Sequence, residues 1–284
     1  MIRMNNAALY DHVSYNCSKA VTGEYSTSFF SAIKLLRVDL RKPIYAVYGM
    51  VRLADEIVDT FHDFDKENLL AEFKKDTFLA ITNKISLNPI LQSFQQTVHR
   101  YNIDLSLVEA FFKSMETDLK KQYYLNRDEY EEYIYGSAEV VGLMCLYIFC
   151  DGDKKLFGEL KEYARALGAA FQKINFLRDL QADVEDLNRA YFPGFQKGSF
   201  NELQKQAIEE EIASDFEMAY KGIKGLPISA RFGVYVAYRY YLALFKKVKK
   251  ANANKIMEER IRIPNHMKLV IVFKAGVRNQ LNWI

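Results

Sequence analysis

Apolar residues recur every three or four positions along nearly the whole chain, which is the period of an amphipathic helix. Strand-like alternation between turn signals is scarce. The five prolines, Pro43, Pro89, Pro193, Pro227 and Pro264, each stand where a helix is expected to begin or stop. None falls between Pro89 and Pro193, which leaves room for several long helices. Turn signals predict breaks near residues 62–66, 86–89, 126–128, 151–153 and 191–199. No fixed-period repeat, low-complexity segment or Gly/Ser/Pro linker interrupts the pattern. The expected architecture is all-α, a single domain over residues 1–284.

Gly136, Gly142 and Gly168 lie inside helical patterns, where glycine costs about 1 kcal/mol relative to alanine. Gly142 sits in EVVGLMCLYIF, the most apolar segment. Two readings stand side by side. The helix walls an apolar cavity, so that a larger residue at Gly142 fills space at small cost in stability; or the glycine lets two helices approach closely.

Composition narrows the function classes. Half of the 284 residues are hydrophobic, enough for a substantial core, and there are 19 Tyr and 20 Phe. A net charge of +3 does not point to nucleic acid. The charge is uneven, however. From Arg231 onward only Glu258 and Glu259 oppose a series of Lys and Arg that includes Lys246, Lys247, Lys249 and Lys250. A basic end suits anionic lipid headgroups or a diphosphate, and equally a solvated helix face. Cys17, Cys145 and Cys150 show neither disulfide nor zinc spacing and read as small buried hydrophobes in a reducing compartment. The first residues carry no secretory pattern, and the longest apolar run, Val140–Cys150, is short for a bilayer span. The expected setting is the cytoplasm, with a peripheral contact at the inner face of the membrane; the oligomeric state stays open.

Two aspartate pairs carry the candidate chemistry. Asp55 and Asp59 lie in RLADEIVDT, and Asp179 and Asp183 in FQKINFLRDLQADVED. Carboxylates four apart share a helix face, one turn above the other, and repel. Such pairs are common on solvated faces, but both of these end long apolar stretches, and buried carboxylates are rare without a partner. Magnesium is usually held by one or two carboxylates plus substrate phosphates. Two such pairs on facing helices make a pocket for magnesium and a diphosphate.

Four stretches resemble the squalene/phytoene synthase family, which joins two isoprenoid diphosphates head to head. They are STSFFSAIKLL, IYAVYGMVRLADEIVD, YEEYIYGSAEVVGLM (preceded by METDL) and FQKINFLRDLQADVEDLNRAYFP. The resemblance runs from about residue 15 to 274 and is most specific in the fourth stretch. It implies an isoprenoid synthase fold, a single helical domain around a central cavity. By the same resemblance Asp55, Asp59, Asp179 and Asp183 are the catalytic magnesium ligands, with Asn175 a further one and Mn2+ an alternative metal. Arg52, Arg178, Gln172, Tyr241 and Arg262 are expected at the diphosphates. Tyr25, Ser26 and Ser28 are expected where substrate comes in, and Phe29, Val141, Gly142 and Met144 along the prenyl chain. Two positions depart from the family pattern. Thr27 stands where many relatives carry a Lys, and Lys173 where the residue is usually apolar.

The implied reaction is the condensation of two geranylgeranyl diphosphates through a cyclopropyl diphosphate to phytoene, in carotenoid biosynthesis. The alternatives are dehydrosqualene or squalene from farnesyl diphosphate, and a non-catalytic scaffold that should have lost carboxylates. NADPH and nucleic acid are not expected.

Overall fold

The computed structural model describes residues 5–185, 189–194, 200–258 and 260–280. These residues contain thirteen α-helices and no strand; one isolated bridge joins Tyr123 and Ala190. The helices are α1 (Asn6–Tyr25), α2 (Thr27–Ile33), α3 (Val38–Asp59), α4 (Lys66–Asn83), α5 (Pro89–Tyr101), α6 (Leu105–Lys120) and α7 (Arg127–Ile134). A π turn (Tyr135–Glu139) leads into α8 (Val140–Cys150), followed by α9 (Lys154–Glu185), α10 (Glu202–Gly225), α11 (Ile228–Lys250), α12 (Ala253–Glu258) and α13 (Asn265–Gln280).

Polar side chains start most of these helices. Asn5, Ser26, Asp65, Asn88, Asp104 and Asn126 each accept a hydrogen bond from a first-turn N–H, and Asn201 forms a reciprocal pair with Gln204. Lys84, Asn102 and Asp151 close α4, α5 and α8 in the left-handed conformation. Pro89 opens α5, Pro227 caps α11, and Pro264 immediately precedes α13. The expected breaks fall between helices, apart from residues 195–199, which lie outside the described residues. Pro43 is the exception among the prolines. It lies inside α3, five residues after Val38, because the backbone N–H of Arg37 donates to Ser229 O at 2.9 Å and starts the helix early.

α9 is the central strut. At 32 residues it is about 48 Å long, and it packs on α8, the π turn, α10, α11 and α12. Lys173 faces inward on it, buried, and its ammonium donates to Glu211 at 2.9 Å and Asp215 at 2.7 Å on α10. The unusual lysine is thus a tie between helices. Met50, Phe94, Phe111, Phe112, Met144 and Ile174 are sealed in the core, each worth roughly 1.5–3 kcal/mol of burial.

Residues 127–150 run as one helix through the π turn. Its length and composition would suffice to cross a bilayer, unlike α8 alone, yet 61% of its most apolar window is buried within the fold. The glycines seat it. A Cβ on Gly136 would lie 2.6 Å from Ala110 O on α6, and one on Gly168 2.7 Å from Ala138 O. One on Gly142 would lie 2.7 Å from Ala164 O. Gly142 therefore allows close helix packing, and a larger residue there cannot simply fill space, contrary to the cavity reading of the sequence.

Candidate active site

The helical spacing of α3 places Tyr48, Arg52, Asp55 and Asp59 on one face, and that of α9 does the same for Gln172, Asn175, Asp179 and Asp183. Both faces line one cavity of about 630 Å³, within the usual range for small-molecule sites. Along α9 the lining runs from Leu160 to Asp183, about 35 Å at 1.5 Å per residue. The four aspartates gather at one end. The other end is apolar, with Leu36, Leu160, Ile223 and Leu226.

The carboxylates divide into two kinds. Asp59 is paired with Arg189 Nη1 at 2.7 Å. Asp179 is held between Arg178, whose Nε donates at 2.8 Å, and Arg260, whose Nε lies 2.7 Å away. Among the described residues Asp55 and Asp183 make no ion pair. Burial, reinforced by Asp59, pushes the Asp55 carboxyl up to about 8. Burial, reinforced by Asp179 and Asp59, does the same to Asp183, also about 8. A third buried acid, Asp118, is pushed up by burial to about 7; it accepts from the Tyr133 hydroxyl and lines the same cavity.

Several polar atoms here are buried without a partner: Arg52 Nε, Asn175 Oδ1, Asp118 Oδ1 and Ser137 Oγ, all on cavity residues. Buried polar atoms are nearly always satisfied, so this cluster marks a place built for a polar ligand. Among the described residues no three acids, imidazoles or thiols converge tightly enough to hold an ion alone. Oxygen donors in pairs, with Asn175 Oδ1 unclaimed, fit a hard cation whose shell substrate phosphates complete.

An aromatic cluster adjoins the carboxylates. Phe171 stacks on Tyr241 with centroids 3.9 Å apart, and Phe29 stands 5.6 Å from Tyr241 and 6.0 Å from Tyr48. Arg52 lies over the Tyr25 ring at 4.3 Å and pairs with Glu56.

Of the residues singled out from sequence, Tyr25, Ser26, Phe29, Arg52, Asp55, Asp59, Val141, Gly142, Gln172, Asn175, Arg178, Asp179, Asp183 and Tyr241 line this cavity. Ser28, Met144 and Arg262 do not. Ser26, Phe29, Ala32, Ile33 and Leu36 form the inward face of α2 and its end, and Ser28 is off that face. Met144 is sealed in the core. Lys247 Nζ donates to Arg262 O at 2.7 Å, and the Arg262 side chain lines a separate basic groove; Arg260 is the late arginine that reaches Asp179. Asp118, Arg189, Arg260 and Tyr133 are site residues the sequence reading missed. At Thr27, where the family pattern has a lysine, Lys268 of α13 brings an ammonium 2.6 Å from the Thr27 hydroxyl.

Titration follows from these environments. An unfolded Asp loses its proton near 3.9, whereas Asp55 and Asp183 keep theirs to about 8 in the metal-free fold. The unfolded chain then binds fewer protons, so metal-free stability is expected to fall as pH rises from about 4 to about 8. Thermal melts in chelator should show this slope, and the Asp55→Asn/Asp183→Asn double variant should flatten it. Parallel slopes for the two proteins would mean that neither carboxyl is held protonated.

A model of the squalene/phytoene synthase family matches residues 22–195, more than half of the chain. The chain belongs to the squalene/phytoene synthase family. Members of this family are prenyltransferase-type synthases that act on prenyl diphosphates with a divalent metal. The chain is 23% identical to a phytoene synthase of Arthrospira platensis over 290 residues, covering 93% of each. It is 25% identical over 203 residues to a 4,4'-diapophytoene synthase of Staphylococcus haemolyticus, covering 71% of this chain and 70% of that one. The crystal structure of a dehydrosqualene synthase superimposes with a TM-score of 0.83 at 17% identity, over 95% of this chain and 98% of that one, a likeness of fold. The family match ends at residue 195, so α10 to α13, with Tyr241 and Arg260, lie beyond it.

Proposed function

We propose that this family member is a phytoene synthase, condensing two geranylgeranyl diphosphates through a cyclopropyl diphosphate to phytoene for carotenoid synthesis. The observation that carries the reading is one long cavity with two facing aspartate pairs at one end and apolar walls at the other. All four aspartates are in place, which argues against a scaffold that has lost its chemistry. The long, near-full coverage of the Arthrospira platensis phytoene synthase supports the choice of substrate.

Asp55, Asp59, Asn175, Asp179 and Asp183 would hold magnesium, which when bound neutralises diphosphate oxygens and eases their departure. Arg52, Arg178 and Arg260 carry cationic donors at the same end and would bind the diphosphates. The faces of Phe29, Phe171 and Tyr241 present negative π density beside the reacting carbons, which favours a developing allylic cation. The apolar walls, among them Val141 and Val234, keep water from quenching it.

A second reading has a specific support. The 4,4'-diapophytoene synthase is as similar in sequence as the phytoene synthase, and favours farnesyl diphosphate with dehydrosqualene as product. Purified protein with magnesium, given each prenyl diphosphate with and without NADPH, should yield phytoene from the geranylgeranyl substrate alone and without reductant. Dehydrosqualene as the main product selects the second reading, squalene requires a reductant site, and no hydrocarbon at all overturns both.

A further inference from the structure

The outward face of α13 is apolar. Ile271, Val272 and Ala275 pack inward, while Leu269 and Phe273 stand 73% and 74% exposed, with Val270 and Val277 beside them. Positions 269, 273 and 277 are one turn apart, so the four side chains make a continuous stripe along one side of the helix. Scattered exposed apolar residues are ordinary, but a continuous stripe marks a contact surface.

The surroundings of the stripe are basic. α13 carries Lys268, Lys274 and Arg278 and no acidic residue. The chain reaches it through a groove lined by Lys247, Lys250, Lys255, Arg260 and Arg262. Groove and helix both border the substrate cavity. Arg260 belongs to the groove and also reaches Asp179, and Lys268 fastens α13 to Thr27, next to the cavity-lining Ser26.

We propose that α13 docks the protein on an anionic lipid surface. The helix lies in the plane of the interface, with Leu269, Val270, Phe273 and Val277 among the acyl chains and the basic groove against headgroup phosphates. Charge decides the occupant. A second copy of α13 would bring Lys268, Lys274 and Arg278 against their own kind, whereas an anionic bilayer takes both the apolar stripe and the charges around it. The docked face borders the cavity opening, so an amphiphilic substrate passes from lipid to cavity over a short path. The inference stands on this surface and holds whichever prenyl diphosphate is used.

The test reads vesicle binding rather than turnover. Wild type and the Leu269→Ser/Phe273→Ser variant are sedimented with vesicles of phosphatidylcholine alone and of phosphatidylcholine with phosphatidylglycerol. The wild type should bind the anionic vesicles at low salt, weaken as salt rises, and bind the neutral ones poorly. The variant should lose more than about tenfold in partitioning to anionic vesicles. Its melting curve and its turnover in detergent should match the wild type, since both positions are exposed and outside the cavity. Wild type that ignores anionic vesicles, or a variant that binds as well, overturns the proposal. So does a variant that light scattering shows to have gone from dimer to monomer, because the stripe is then a contact between copies.

Discussion

Turnover in Asp179→Asn is expected to fall by about two to three orders of magnitude at ordinary magnesium, the usual loss when one group aimed at transition-state charge is removed. The fold should survive, because the substitution keeps shape and relieves like-charge repulsion with Asp183. Asp179 does two things at once: it faces Asp183 and it anchors Arg178 and Arg260. A magnesium titration separates them. A lost metal ligand is partly rescued by excess magnesium, while a lost arginine anchor is not. Undiminished turnover would remove Asp179 from the site.

Gly142→Leu is expected to cost about 3 kcal/mol of stability, at the upper end of ordinary overpacking. Its first side-chain carbon would already stand 2.7 Å from Ala164 O, and this neighbour is helix backbone, which cannot swing aside as a side-chain tip does. Chemical denaturation measures the loss directly. Val141→Phe is the contrasting change, since Val141 borders the cavity and its side chain can grow into it. That variant should stay near wild-type stability while turnover drops or the product shifts toward shorter chains. Wild-type stability in Gly142→Leu would mean that α8 and α9 can part without cost.

What the sequence made legible was local. Aspartates four apart, apolar positions at helical period and capping residues before helices all report on one helix at a time, and Asp55, Asp59, Asp179 and Asp183 were found that way. What it concealed depends on how helices meet. Asp118 looks like an ordinary polar residue of α6 until Tyr133, across the packing, donates to it. Arg189 reaches Asp59 across 130 residues of chain from outside any helix, where periodicity gives no guide. Arg260 and Arg262 are both plausible partners for an acid, and only the tie from Lys247 to Arg262 O separates them. Gly142 presented two readings because a missing side chain looks the same beside a cavity and beside a helix.

The π turn at residues 135–139 has a consequence for the gene. A π turn carries one residue more than the α-helical turn it replaces, and each residue advances a helix by about 100°. Loss of one codon there would not merely shorten the 127–150 helix by one step. It would swivel everything after the turn, carrying Val141, Cys145 and Phe149 off the cavity wall and turning Gly142 away from Ala164. Insertions and deletions are normally absorbed in loops. In this segment a change of reading length becomes a change of direction, so its residue count is constrained as tightly as its chemistry.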